Sequence, residues 1–232
     1  MSSPFVLGVT GNIACGKTTV LGLLAERGAT VLDGDVVYHA MIAAGGELVA
    51  PIRMRFGDGV ITPDGAVDRR ALGNIVFADP VALADLERLT HPVVVAEIQQ
   101  RIAAADRQIV VVDGVKLIES GMDRACDRVW LVVCDPAVQE ERLVRRNRLD
   151  RSEARRRILA QPDSDAKRDR VQRVIDNSGT LDDLRAEVDA AWRTLPATRC
   201  DRTVAAIPAA GVGPAYRDRL AESHPQPKGD KR

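Results

Sequence analysis

Residues 5–18 read Phe-Val-Leu-Gly-Val-Thr-Gly-Asn-Ile-Ala-Cys-Gly-Lys-Thr, a short apolar run followed by a glycine-bounded loop and a Lys-Thr pair. The run Phe5 to Val9 predicts a strand. Val20, Leu23 and Leu24 on one face predict a helix that begins at Lys17 and stops at Gly28. Between them, Gly11-Asn-Ile-Ala-Cys-Gly-Lys-Thr18 satisfies the spacing G-x-x-x-x-G-K-[ST], in the strand, loop, helix context that gives it meaning. Such a loop turns successive backbone N–H groups and a helix N-terminus toward phosphate, its lysine reaches terminal phosphates, and the hydroxyl after it ligates magnesium. The candidate nucleotide contacts are therefore Gly11, Asn12, Ile13, Ala14, Cys15, Gly16, Lys17, Thr18 and Thr19, with ATP and Mg²⁺ as expected cofactors. An accidental glycine turn is the alternative, and its context argues against it. Cys15 reads as a small loop residue rather than a redox switch.

Four further strands follow outward from this unit: Thr30 to Leu32, Ile109 to Val112, Val129 to Val133, and Val174 to Ile175. The third and fourth strands in chain order are continuous apolar runs without polar alternation, as strands buried on both faces are, and should lie centrally. Alternation with helical patterns predicts an α/β fold of the P-loop NTPase, nucleotide-kinase type, around a five-stranded parallel sheet. Asp79-Pro80 and Asp135-Pro136 offer an N-cap with proline at the first helical position. Asp150 with Glu153, and Thr180 with Asp183, read as capping boxes. The stretch 42–105 is too long for a simple crossover and reads as a helical insertion on the acceptor side, and 142–170 as an arginine-rich ATP lid. A kinase domain over 1–196 would then be followed by a disordered tail over 197–232, which is polar and proline-containing.

At 232 residues and 45% apolar the chain can bury a real core. Its 33 basic residues balance 33 acidic ones, so no global field draws it to nucleic acid or to an anionic membrane, and phosphate recognition must be local. The run into the first strand has no signal-peptide pattern, and no stretch reaches the length of a membrane span. Cys15, Cys126, Cys134 and Cys200 show neither a C-x-x-C pair nor zinc-type spacing, which suits a reducing, cytoplasmic setting. The sequence carries no signal for oligomeric state.

Carboxylates stand where ligands bind in such sheets, after the ends of strands. Asp33-Gly-Asp35 follows the second strand; one carboxylate can take a proton from an attacking hydroxyl and the other can orient the acceptor, although both residues also suit the capping of a helix. Asp113 closes Ile-Val-Val-Val-Asp and suits magnesium support, with a plain strand-end turn as its alternative. Eight arginines lie between Arg142 and Arg157, a run that is usually a solvated helix face but that can also clamp a transferring phosphoryl group. His91-Pro92 reads as a helix start with a packed or capping histidine.

Together these residues resemble the dephospho-CoA kinase family over residues 7–192. The family's T-G-G-I-G-S-G-K-S/T appears as Thr10-Gly-Asn-Ile-Ala-Cys-Gly-Lys-Thr18, and its D-A-D as Asp33-Gly-Asp35. Gly65-Ala-Val-Asp-Arg-Arg-Ala-Leu72, Val76-Phe-Ala-Asp-Pro80 and Leu89-Thr-His-Pro92 follow in the family's order and discriminate most. Gln139-Glu-Glu-Arg142, Arg146, Arg157-Ile158, Gln161 and Asp176-Asn-Ser-Gly179 extend the match. The resemblance implies transfer of the ATP γ-phosphate to the ribose 3′-hydroxyl of dephospho-coenzyme A, the last step of coenzyme A biosynthesis. It implies Asp35 as base, Lys17, Arg142 and Arg146 in the catalytic set, and Asn177 to Gly179 near adenine. Acceptor contacts would come from Asp33, Asp35, His91, Asp113 and Lys116, with Thr18 and Asp113 holding the metal.

Three departures stand out. D-x-P-L-L-F-E appears as Asp113-Gly-Val-Lys-Leu-Ile-Glu119, which places Lys116 either against an anionic acceptor group or in a surface pair with Glu119. A-D-x-V-I-D-N appears as Val171-Gln-Arg-Val-Ile-Asp-Asn177, without the acidic residue at Gln172. The phosphate loop lacks two of the family's glycines, at Asn12 and Ala14. A kinase of the same architecture acting on another nucleoside or nucleotide, and a non-catalytic nucleotide-dependent binding module, are the rival readings.

Overall fold

β1 (Phe5–Gly11) is buried at every residue and occupies the middle of a five-stranded sheet. The computed structural model describes residues 3–115 and 117–196; Lys116 and the expected tail over 197–232 lie outside the described residues. The sheet runs in the order β2 (Thr30–Asp33), β3 (Ile109–Asp113), β1, β4 (Arg128–Val133), β5 (Arg173–Asp176), and every pairing is parallel. β3 and β4 each have a neighbour on both sides, and their interior residues are buried, which is why their sequences show no polar alternation.

The helices are α1 (Lys17–Glu26), α2 (Gly34–Ile42), α3 (Val49–Phe56), α4 (Arg69–Ala78), α5 (Pro80–Ala104), α6 (Pro136–Asn147), α7 (Arg151–Leu159) and α8 (Leu181–Trp192). The chain divides into two units, residues 3–35 with 97–196, and residues 36–96. In the first unit, Val20, Leu23 and Leu24 of α1 and Leu184 and Val188 of α8 pack with Leu7 and Val9 of β1, Trp130 and Val132 of β4 and Ile175 of β5. Each buried aliphatic side chain here contributes about 1.5–3 kcal/mol.

Local signals place most helix starts. Asp135 accepts from Ala137 N at 2.7 Å, and Thr180 with Asp183 forms a complete capping box. Asp150 accepts from Glu153 N at 2.8 Å, but the expected box there closes on one side only. The Glu153 carboxylate is drawn instead to Arg156 and to Arg157, the latter at 2.8 Å, because a guanidinium outcompetes a neutral backbone N–H.

In the helical unit, Asp68 caps α4 through Arg70 N and Ala71 N, and Leu48, Ile52, Val60, Leu72, Val76 and Leu86 are buried. The expected helix start at His91-Pro92 is corrected: α5 runs without a break from Pro80 to Ala104, with Pro92 inside it. Proline in a helix interior costs about 3 kcal/mol. Burial of Leu86, Val95 and Ile98 along the same helix is the opposing term. Among the described residues, no helix is long and apolar enough to cross a membrane.

Candidate active site

The loop after β1 closes onto α1 through Gly16, which lies at φ 91° and serves as the helix N-cap with no side-chain cap. That dihedral favours glycine, and space demands it too, since a Cβ at Gly16 would stand 1.8 Å from Asn177 Nδ2. Neither a side-chain cap nor an acidic residue occupies the first turn of α1, so its N–H groups and positive dipole end are suited to an anion. Ala14 also takes a left-handed conformation, at φ 58°, so one of the two glycine departures falls where glycine would be unstrained. Cys15 is 2% exposed, and burial pushes its thiol up to about 11; it is a neutral core group at ordinary pH.

The carboxyl edge of the sheet gathers the charged residues. Lys17, first in α1, is bonded to Asp113 at the end of β3. Asp113 is the register partner of Asp33 on β2. Asp33 Oδ1 accepts from Asp35 N at 2.8 Å, so Asp33 does perform the helix-capping role that its position allowed. Asp35 is exposed in the first turn of α2. Thr18 and Thr19 are exposed at the start of α1. Mg²⁺ binds through one or two protein oxygens together with substrate phosphates rather than in an all-protein cage. The hydroxyl of Thr18 and the carboxylate of Asp113 fit that chemistry, and among the described residues no group of three or more His, Cys, Asp or Glu could form a cage.

The arginine run divides by environment. Glu140 on α6 binds Arg151 at 3.3 Å and Arg155 at 2.6 Å, and these guanidinium groups, Arg155 foremost, hold its carboxyl below the usual range. Arg151 and Arg155 thus tie α7 to α6, while Arg156 and Arg157 pair with Glu153 within α7 itself. Arg142 lies beside the loop: a Cβ at Gly16 would be 3.5 Å from its Nη1, which is buried and has no hydrogen-bond partner among the described residues. Arg146 is exposed, and its Nε donates to Asn147 Oδ1 at 2.9 Å.

Asn177, expected near adenine, is 6% exposed, and its Nδ2 donates to Cys15 O at 2.9 Å, so its amide braces the loop. Gly179 is exposed next to the capping residue Thr180. His91 is 9% exposed within α5, and burial lowers its pKa. Gln172, one of the departures, accepts from Val129 N at 2.6 Å; any side-chain oxygen of suitable reach can do this, so the missing acid leaves no gap. Glu119 is paired with Lys167 at 3.0 Å.

Sequence reasoning missed a set of loop contacts. Ile13 N donates to Gln161 Oε1 at 2.7 Å, Gln139 Nε2 donates to Ile13 O at 2.7 Å, and Asn12 Nδ2 donates to Pro162 O at 2.9 Å. Lys167, 4% exposed, reaches Asn12 Oδ1 at 3.5 Å. It sits in Asp163-Ser-Asp-Ala-Lys-Arg-Asp-Arg170, which reads as a solvated charged stretch, and nothing local marks one of its cations for burial.

A strand-loop-helix phosphate cradle, a lysine on a strand-end aspartate and an arginine at the loop together define a P-loop phosphotransferase of the nucleotide-kinase type. Residues 5–183 match the family model described as dephospho-CoA kinase. The dephospho-CoA kinase of Symbiobacterium thermophilum is 46% identical over 81% of this chain and 80% of its own length. That of Leifsonia xyli is 43% identical over 82% and 98%. The crystal structure of a Thermus thermophilus protein superposes with a TM-score of 0.72 at 31% identity, over 84% of this chain and 99% of that one. This chain belongs to the dephospho-CoA kinase family.

Proposed function

We propose that the chain transfers the γ-phosphate of ATP to the ribose 3′-hydroxyl of dephospho-coenzyme A, releasing ADP and coenzyme A. The observation that carries this reading is the meeting of the phosphate loop, Lys17, Asp113 and the Asp33-Gly-Asp35 turn at one sheet edge. The loop N–H groups and Lys17 bind the nucleotide phosphates, and Arg142, whose Nη1 is buried beside Gly16, offsets charge on the transferring group. Asp35 accepts the proton of the attacking hydroxyl as the new O–P bond forms and the bond to the ADP oxygen breaks. Thr18 and Asp113 would hold Mg²⁺, which supplies charge neutralisation on the β- and γ-phosphates. Asp33 positions Asp35 through the bond to its backbone N–H.

The test is purified protein with ATP, Mg²⁺ and dephospho-CoA, following ADP release and the mass of a 3′-phosphorylated product, beside a panel of nucleosides and nucleotides. Turnover confined to another acceptor would overturn the substrate assignment. Nucleotide binding without any turnover would overturn catalysis.

A further inference from the structure

Both feet of the α6–α7 hairpin stand on one residue of the phosphate loop. Gln139, in the first turn of α6, donates to Ile13 O at 2.7 Å, and Gln161, just past α7, accepts from Ile13 N at 2.7 Å. The neighbouring residues repeat the pairing, with Asn12 Nδ2 on Pro162 O at 2.9 Å. Lys167 completes the grip: its ammonium reaches Asn12 Oδ1 at 3.5 Å, Val115 O at 3.3 Å and Glu119 Oε1 at 3.0 Å. Those are three acceptors for three donors. The hairpin is itself cross-tied by Glu140 to Arg151 and Arg155, which join its second helix to its first.

A hairpin fixed at both feet has its arginines placed by those feet. Arg142 stands one turn along α6 from Gln139, and it is the arginine that lies beside Gly16. A shift of the hairpin relative to Ile13 therefore displaces this guanidinium from the nucleotide phosphates by a similar distance. We propose that Gln139, Gln161 and Lys167 are positioning residues for phosphoryl transfer, clasping the Asn12–Ile13 segment so that loop and hairpin keep a single register. None of the three need touch substrate. The inference rests on reading the site as a phosphotransferase, and the clasp itself can be measured without turnover.

The test uses the full chain with Gln161→Met, which keeps length and removes the acceptor for Ile13 N, and with Gln139→Met, which removes the donor to Ile13 O. The expected result in each is a kcat lowered about 10- to 100-fold, as misplacement on the ångström scale produces, with the melting temperature near that of the parent. Amide hydrogen exchange is read at Ile13 in the apo protein and with a non-hydrolysable ATP analogue. Exchange should quicken in Gln161→Met, stay slow in the acceptor-retaining Gln161→Glu, and remain unchanged at the β1 amides in both. Parent kcat in both methionine variants overturns the proposal. So does a kcat that falls in step with melting temperature, or slow Ile13 exchange in Gln161→Met, since either marks a contact that does not set the register. A parent that fails to phosphorylate dephospho-CoA would sink the acceptor assignment, while the exchange comparison would still decide the clasp.

Discussion

Lys17 Nζ is bonded to Asp113 Oδ1, joining the first residue of α1 to the last residue of β3, with side chains 14% and 8% exposed. The pair holds the ammonium at the phosphate loop, as a nucleotide site requires. Lys17→Ala should lower phosphoryl transfer by at least about 100-fold, the scale for loss of one preorganised charge donor. Its circular dichroism spectrum should match the parent's. Equal turnover in variant and parent would remove Lys17 from the chemistry.

Asp35 is exposed at the start of α2, with its backbone N–H held by Asp33. An amide at this position cannot accept the hydroxyl proton. Asp35→Asn is expected to lower kcat by about 10² to 10⁴ with KM for ATP close to the parent value. Loss of ATP binding with kcat preserved at saturation would place the base elsewhere.

Ala14 pays for its left-handed φ of 58°. A non-glycine residue there costs about 1–2 kcal/mol, against about 0.5–1 kcal/mol of extra backbone entropy for glycine. Ala14→Gly should therefore leave the protein equally stable or up to about 1.5 kcal/mol more stable, a rise of up to about 6 °C in melting temperature for a domain of this size. A clear fall measured by calorimetry would mean that the Ala14 methyl packs productively.

His91 is buried within α5, and burial lowers its pKa from the ordinary 6.5. Below that value the unfolded chain binds the proton more readily than the folded one, so protonation favours unfolding. The contribution of His91 is thus complete above about pH 6.5 and is lost as pH falls through 6.5 toward the depressed folded value. Urea unfolding of the parent and of His91→Gln across pH 5–7.5 should show a shallower loss of stability in the variant. Parallel curves would show that His91 titrates alike in both states.

The sequence by itself determined the parts whose causes are local. Phe5 to Val9 with the glycine loop and Lys17 placed strand, cradle and helix together, because chain propensity and glycine dihedrals act within a few residues. Asp135 and Thr180 marked helix starts for the same reason, as cap and backbone are near neighbours. One local signal misled, the helix start read at His91-Pro92, because a longer-range term prevailed. Pro92 sits inside α5 because apolar burial along the helix opposes its local cost. Asn177 is drawn to Cys15 O, 162 residues away in sequence, where the parallel sheet brings the end of β5 beneath the loop. The clasp is wholly tertiary. Ile13 to Gln161 spans 148 residues, Asn12 to Pro162 spans 150, and Asn12 to Lys167 spans 155. Such partners are brought together only by the pairing of β1, β3 and β4, since no local propensity distinguishes the lysine that is buried at the loop from the arginines around it that remain in water.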